Sequence, residues 1–412
     1  MPAPEPARPA GREPRLEIRS AEDLAPAERA QLARADLLDL AATQAWEVAG
    51  SNRDLAYATH GVFRYFGKFP PPLARYLIET FTPAGGQVAD PMCGSGTTGV
   101  EALLSRRGAT LLDVNPLSLL LARVKTTPLD GSRLDEAVGR VLARYRPLAA
   151  RDGIPDPVGL RNADHWFLPD TSRSLRGLRA AVDAEPDPDL RNFLLVAFAA
   201  TVRRVSRATM QQGRLFLDAA SALPDARPVF ERRAARARAA IGALPPPRAP
   251  ITVGVHDLRT PPAGVPSADL VVCHPPYFNS YKYSGINALE LAWLGFEPAS
   301  VRKCEVREYF KAGDPANVAK YLDDMALAIG HAAKLLRPAG TLALMIGDTV
   351  VRGDYLPVTR TLLDRVAATL RPVRVCLRVP RYTEATWVAS QRRRRDDVGI
   401  KLSDFVILLE RA

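Results

Sequence analysis

The sequence predicts an α/β protein built on a mostly parallel, doubly wound sheet that carries a helical insertion. Three observations lead there. Residues 62–130 run strand, glycine loop, helix, strand, helix. Strands resume at 251 and alternate with helices almost to the end of the chain, and the stretch between, 130–245, is amphipathic with hardly a strand candidate.

Residues 1–20 are rich in Pro, Ala and Arg and are expected to be disordered, while the spacing of Leu24, Leu32, Leu37, Leu38 and Leu40 predicts short helices ending near Gly50. Residues 1–50 are therefore read as a partly disordered N-terminal arm. "PPLARYLIETFT" opens on prolines, which suit a helix's first turn, and sets Leu73, Tyr76, Leu77 and Phe81 on one face. "GQVAD" is a short strand entering "PMCGSGTTG", "VEALLSRR" a helix, "GATLLDVN" a strand ending in an acid, and "PLSLLLARVKT" a helix. Residues 130–245 form a helical insertion, a possible recognition subdomain, and end at the stiff "PPPRAP". The strands "ITVGVHD" and "ADLVVC" follow, then the helix "VAKYLDDMALAIGHAAKLLRP", the strand "GTLALMIGD", the helix "PVTRTLLDRVAATL", and a last pair, "VRVCLRV" and "DFVILLERA". Residues 51–129 and 246–412 thus make one α/β domain.

A chain of 412 residues, 47% hydrophobic and 25% charged, has the composition of a globular protein. It has no apolar run of membrane-spanning length and no apolar signal core at its start, so a cytoplasmic protein without a membrane partner is expected. Cys93, Cys273, Cys304 and Cys376 lie far apart without CxxC spacing, which argues against a metal site and a disulfide framework. A net charge of +11 suggests a polyanionic partner. Only 8 of the 56 basic residues are Lys, however, and the abundance of Ala, Arg and Pro is what a GC-rich coding sequence produces. Arg203, Arg204 and Arg207, with Arg232, Arg233, Arg236 and Arg238, give the insertion a candidate basic face, although such runs are more often merely solvated. Arg392 to Arg395 form a similar run between the last two strands.

Two stretches point to chemistry. In "DPMCGSGTT", residues 90–98, Gly94 and Gly96 let the backbone approach a ligand and turn with positive φ, and Thr97 and Thr98 offer hydroxyls at a helix start. A tight strand-to-helix turn is the plainer reading. The loop is neither GxxxxGK[ST] nor GxGxxG. In "VVCHPPYFNSYKYS", residues 271–284, an apolar strand stops in His274, Pro275, Pro276 and Tyr277, where a double proline by itself explains the strand's end.

Together these stretches resemble the amino-group DNA methyltransferases, whose loop reads DPFxGSGTT and whose catalytic motif is (D/N/S)PPY. "RYFGKFPPPLARYLI", "LLDVNPLSLLLARVKTTPL" and "VGVHDLR" are similar to the accompanying segments in the same order. The resemblance covers about 60–130 and 250–412. It implies a Rossmann-like class I methyltransferase fold, with a seven-stranded, mostly parallel sheet and an antiparallel C-terminal hairpin. It also implies S-adenosylmethionine as cofactor and a nucleic acid, DNA, as partner, the product being N6-methyladenine or N4-methylcytosine. An RNA base, a protein amide or a small molecule are the alternative targets.

Residue by residue, the resemblance assigns Asp90, Pro91, Cys93, Gly94, Gly96, Thr97 and Thr98 to the cofactor loop. Lys68, Phe69 and Pro70 close over its methionine end, Phe69 being equally a core candidate. Asp113, with Asn115 beside it, holds the ribose hydroxyls or else caps the next helix, and Asp257 accepts from the adenine amine or caps a turn. In the catalytic motif, Pro275 supplies a carbonyl acceptor, Pro276 stiffens the turn and Tyr277 stacks on an extruded base. His274 stands where the family has Asp, Asn or Ser; only a neutral imidazole accepts a hydrogen bond there, and a degenerate, inactive site is the bland alternative. Tyr281, Lys282 and Tyr283 are candidates to line the substrate groove or to pack the loop, and Asp348 and Arg352 to wall the pocket. Cys273, one step before the turn, is not expected to act as a nucleophile.

Overall fold

The computed structural model describes residues 14–148, 156–160, 162–211, 214–220, 222–278, 281–306, 314–351, 354–380 and 404–412. In chain order the strands are β1 (Arg15–Arg19), β2 (Ala42–Ala49), β3 (Gln87–Asp90), β4 (Gly108–Asp113), β5 (Ala208–Gln211), β6 (Arg214–Leu217), β7 (Ile251–Val255), β8 (Ala268–Cys273), β9 (Leu336–Gly347), β10 (Thr349–Val351), β11 (Asp354–Leu356), β12 (Leu370–Pro380) and β13 (Asp404–Arg411). Nine form one sheet in the order β1-β2-β12-β13-β9-β8-β3-β4-β7, while β5-β6 and β10-β11 are separate hairpins. From β7 to β9 every pairing is parallel, and β13 runs antiparallel to both β9 and β12.

Seven of the nine strands realise the predicted sheet with its C-terminal hairpin. The other two are a departure from the expected arm of short helices. One helix forms there, Pro26–Arg34, but on either side of it β1 and β2 extend the sheet. β2 pairs parallel with β12, Ala42 to Val48 against Arg374 to Pro380, and Trp46 is fully buried, edge-on to Tyr76 at 5.3 Å. "ATQAWEVA" has little β-branched character, and its partner lies at the far end of the chain, so local pattern did not disclose it.

Successive strand residues point to opposite faces, and the core divides accordingly. Val88, Leu270, Val272 and Ala343 pack on the side of helices Pro71–Phe81 and Thr97–Leu104. Ala89, Val271, Cys273 and Leu342 pack on the side of helices Pro315–Lys334 and Val358–Val366. Residues 130–245 form mainly helices, the longest being Gly131–Arg144, Pro169–Asp183, Pro188–Val202 and Ala226–Ile241, together with the β5-β6 hairpin. Their apolar core contains the fully buried Phe193, Phe198 and Phe230 and is continuous with Leu117 and Leu121 on one side and Leu289 and Trp293 on the other. Each such phenyl contributes roughly 1.5–3 kcal/mol on burial, so the insertion is anchored to the sheet domain through helices Pro116–Thr126 and Ala288–Trp293.

Candidate active site

Parallel strands put their carboxyl ends on one edge, and ligand sites of open α/β sheets lie where strand order reverses. Here β3 has β4 on one side and β8 on the other, and these strands end in Asp90, Asp113 and Cys273, the last running into His274. The edge holds a cavity.

Gly94 (φ +49°) and Gly96 (φ +78°) supply the left-handed turns of the glycine loop. Gly96 caps helix Thr97–Leu104 where the next helix passes so close that a Cβ would lie 2.7 Å from the Ala122 Cα. The loop is tied down from both ends. The Gly94 N–H donates to Asp113 Oδ2 at 2.8 Å, and the Asn115 N–H donates to Oδ1 at 2.8 Å. The Thr98 hydroxyl donates to Asp90 Oδ2, and the Met92 N–H to Oδ1 at 3.2 Å. Below the loop the fully buried Lys125 ammonium donates to the Ser95 carbonyl at 2.6 Å, and burial depresses its pKa well below the ordinary value. Behind it, Tyr57, His60 and Arg75 all converge on Glu101, buried in the helix the loop opens. Burial pushes the Asp90 carboxyl up to about 7 and also raises that of Asp113.

Lys68, Phe69, Asp90, Pro91, Cys93, Gly94, Thr97, Asp113, Asn115 and Asp257 line the cavity, as do His274, Pro276, Tyr277, Tyr281, Lys282 and Tyr283. Gly96, Thr98, Pro70 and Pro275 stand behind its wall: Thr98 is spent on Asp90, the Pro70 carbonyl accepts from the first turn of helix Pro71–Phe81, and Pro275 is buried. Asp348 is not brought to the cavity. It accepts from the Tyr355 hydroxyl and from the Thr359 N–H, at the start of helix Val358–Val366. Arg352 and Arg392 to Arg395 lie outside the described residues. Two lining residues are committed locally: the Asn115 side chain caps helix Pro116–Thr126, and Asp257 is held by the Arg259 guanidinium at 2.6 Å.

The catalytic-motif candidates interlock by aromatic edges. The His274 ring is edge-on to Phe69 at 5.6 Å and to Tyr277 at 5.5 Å. The Tyr321 hydroxyl donates to the Pro276 carbonyl at 2.9 Å and so fixes the turn. Burial lowers the His274 pKa to about 4, which keeps the imidazole neutral and able to accept at neutral pH. The Cys273 thiol is buried and its pKa raised, consistent with an unreactive side chain.

Sequence reasoning missed Tyr321, Glu305 and Tyr65. Glu305, pushed up to about 7 by burial, accepts from the Asn115 amide at 3.1 Å and from the Ser284 N–H. Tyr65 stacks on Tyr283 at 5.9 Å and bonds Ser118. Tyr65 sat inside the recognised "RYFGKF" segment, whereas no local pattern marks Tyr321 or Glu305.

The lowered pKa of His274 makes stability depend on pH. Unfolded, the ring takes a proton near pH 6.5; folded, it does so only near 4, so its contribution to stability is complete above 6.5 and lost as pH falls through that window. The ring lines an open cavity, which limits the effect to at most about 3 kcal/mol. Urea titrations at a series of pH values should therefore show His274→Asn gaining stability on the wild type as pH drops from about 6.5 to 4. Parallel pH curves for the two proteins would contradict the assignment of a neutral imidazole.

Compared with known proteins, residues 28–118 match the DNA methylase family. Type II methyltransferase M.MvaI of Kocuria varians is 28% identical over 176 residues, covering 40% of this chain and 38% of that enzyme. Type II methyltransferase M.MjaII of Methanocaldococcus jannaschii is 32% identical over 111 residues, 26% of this chain and 21% of that enzyme. The chain thus spans less than half the length of these relatives. Among solved structures, TrmN from Thermus thermophilus aligns at 12% identity and a TM-score of 0.33 over 84% of this chain and 50% of that one. Residues 28–118 take in β2, the glycine loop and Asp113, and it is through this segment that the chain is similar to the DNA methylase family.

Proposed function

We propose that this chain transfers a methyl group from S-adenosylmethionine to an exocyclic amino nitrogen of a DNA base, adenine N6 or cytosine N4, presented out of the base stack. The observation that supports the reading most is the meeting of the glycine loop, Asp113 and the His274–Tyr277 turn around one cavity at the sheet's switch point.

The residues present fit the cofactor. Each Asp113 oxygen already accepts one backbone N–H and retains a further lone pair, so the carboxylate can take both hydroxyls of a ribose. At Gly94 a Cβ would project to 3.4 Å from the Tyr65 ring, into the space that a ligand's approach to the loop requires. Lys68 and Phe69 line the wall beside it. When bound, S-adenosylmethionine supplies an electrophilic methyl group.

The chain's own task is to make a poor nucleophile better. The lone pair of an exocyclic amine is delocalised into its ring, and accepting one of its N–H bonds helps localise that pair on nitrogen. Neutral His274 can accept in this way, and Phe69 and Tyr277 hold its ring between them. Tyr277, on a turn stiffened by two prolines and the Tyr321 bond, offers a face on which an extruded base stacks.

Incubation with methyl-labelled cofactor and DNA, RNA or protein extract tests the reading directly. Label is expected in DNA, with N6-methyladenine or N4-methylcytosine found by mass spectrometry of the nucleosides. Label confined to RNA or protein would refute it.

A further inference from the structure

The seven arginines that form the insertion's sequence runs fall into two groups once folded. Arg203 pairs with Glu290 at 2.8 Å, Arg238 with Asp135 at 2.6 Å, and Arg207 donates to the Asp164 carbonyl. Arg227, on the same helix as Arg238, pairs with Glu231 at 3.0 Å. Arg204, Arg232, Arg233 and Arg236 have no hydrogen-bond or ion-pair partner among the described residues. They nonetheless gather together. Arg232 and Arg236 are one turn apart on helix Ala226–Ile241, Arg233 and Arg236 three residues apart, and the helix packs against the short turn Arg203–Val205 that carries Arg204. Burial depresses the Arg233 pKa, and the charges of Arg236, Arg204 and Arg232 depress it further, so the four share one field.

This patch borders the candidate site. The Arg236 guanidinium reaches Gly61, where a Cβ would sit 2.9 Å from its Nη2, and its charge is felt at Lys68, which lines the cavity. Like charges on neighbouring helix positions repel, and elsewhere on this helix arginine is neutralised by an acid. A surface left uncompensated in this way is relieved by an external polyanion.

We propose that Arg204, Arg232, Arg233 and Arg236 form the surface with which the insertion grips the phosphate backbone of duplex DNA beside the candidate site. The proposal rests on the DNA reading above and adds to it the part of the chain that holds the substrate.

The test uses the full chain and a fluorescent DNA duplex, with anisotropy measured across a salt series. The triple variant Arg204→Gln/Arg232→Gln/Arg236→Gln leaves the half-buried Arg233 in place. Each phosphate that is no longer neutralised reduces the slope of log K against log salt by about 0.9, so the variant should show a slope shallower by about 2–3 and bind roughly tenfold or more weakly near ~0.1 M salt. The corresponding Lys triple should restore the slope. Arg15→Gln/Arg365→Gln/Arg371→Gln removes the same charge from sites outside the insertion and should keep it. Equal slopes for the Gln triple and the wild type would overturn the patch while leaving the methyl-transfer reading standing. A wild type that ignores duplex DNA, or prefers RNA, would overturn both.

Discussion

Replacing Tyr277 by alanine is expected to lower methyl transfer roughly 10–100-fold, because base–aromatic stacking is worth about 1–3 kcal/mol per base. Replacing His274 by alanine should cost more, on the order of 100-fold in kcat, since on the proposed reading it removes the group that accepts from the reacting amine when the barrier is crossed. Cofactor affinity, read by calorimetry, should stay within a few-fold in both variants. Packing and chemistry can be separated at this position. His274 meets Phe69 and Tyr277 edge-on, so alanine disturbs the wall as well as the acceptor. His274→Asn loses the ring but keeps a side-chain acceptor, and should retain at least about a tenth of the wild-type rate. If His274→Ala kept full activity, or if Asn and Ala were equally inactive, the acceptor role would be wrong.

The second large effect is expected at Gly96. Its φ of +78° costs a side-chain-bearing residue about 1–2 kcal/mol, and the Ala122 backbone lies 2.7 Å from where the Cβ must go, adding an overpacking cost of about 1–3 kcal/mol. Gly96→Ala should therefore lower folding stability by roughly 2–5 kcal/mol in denaturant titration. Gly85→Ala is the control: its φ is +72°, but nothing lies within 4 Å of the new Cβ, so only the backbone cost applies. Equal losses at the two positions would show that helix Pro116–Thr126 does not constrain the loop. Gly94→Ala, with its Cβ at van der Waals distance from Tyr65, should fold and lose cofactor affinity instead.

These expectations draw on different parts of the chain's legibility. The glycine loop and the His274–Tyr277 turn could be read directly, because glycine and proline act on their own backbone and each sits where a short apolar strand stops. Asp113 was legible as the acid ending the second strand. That Asp257 is engaged by Arg259 was equally local, two residues away, yet the sequence does not say whether that arginine turns back or outward. Asp348 followed a strand as a pocket residue would, and only its bonds with Tyr355 and Thr359 reveal it as a helix-end acceptor.

By itself, then, the sequence determined the strand and helix order on either side of the glycine loop, that loop itself and the His274–Tyr277 turn, since periodicity and backbone chemistry are local. Tertiary structure alone decided that β2 leaves the N-terminal arm to pair with β12, that Glu305 meets Asn115 across 190 residues, and that Tyr321 holds the Pro276 carbonyl. It also decided which of seven arginines are neutralised, for the partners of Arg203 and Arg238 lie 87 and 103 residues away. The physical reason is common to all of these. A hydrogen bond or ion pair forms between whichever groups the packed sheet and helices bring within about 3 Å, and no period in the chain encodes that distance.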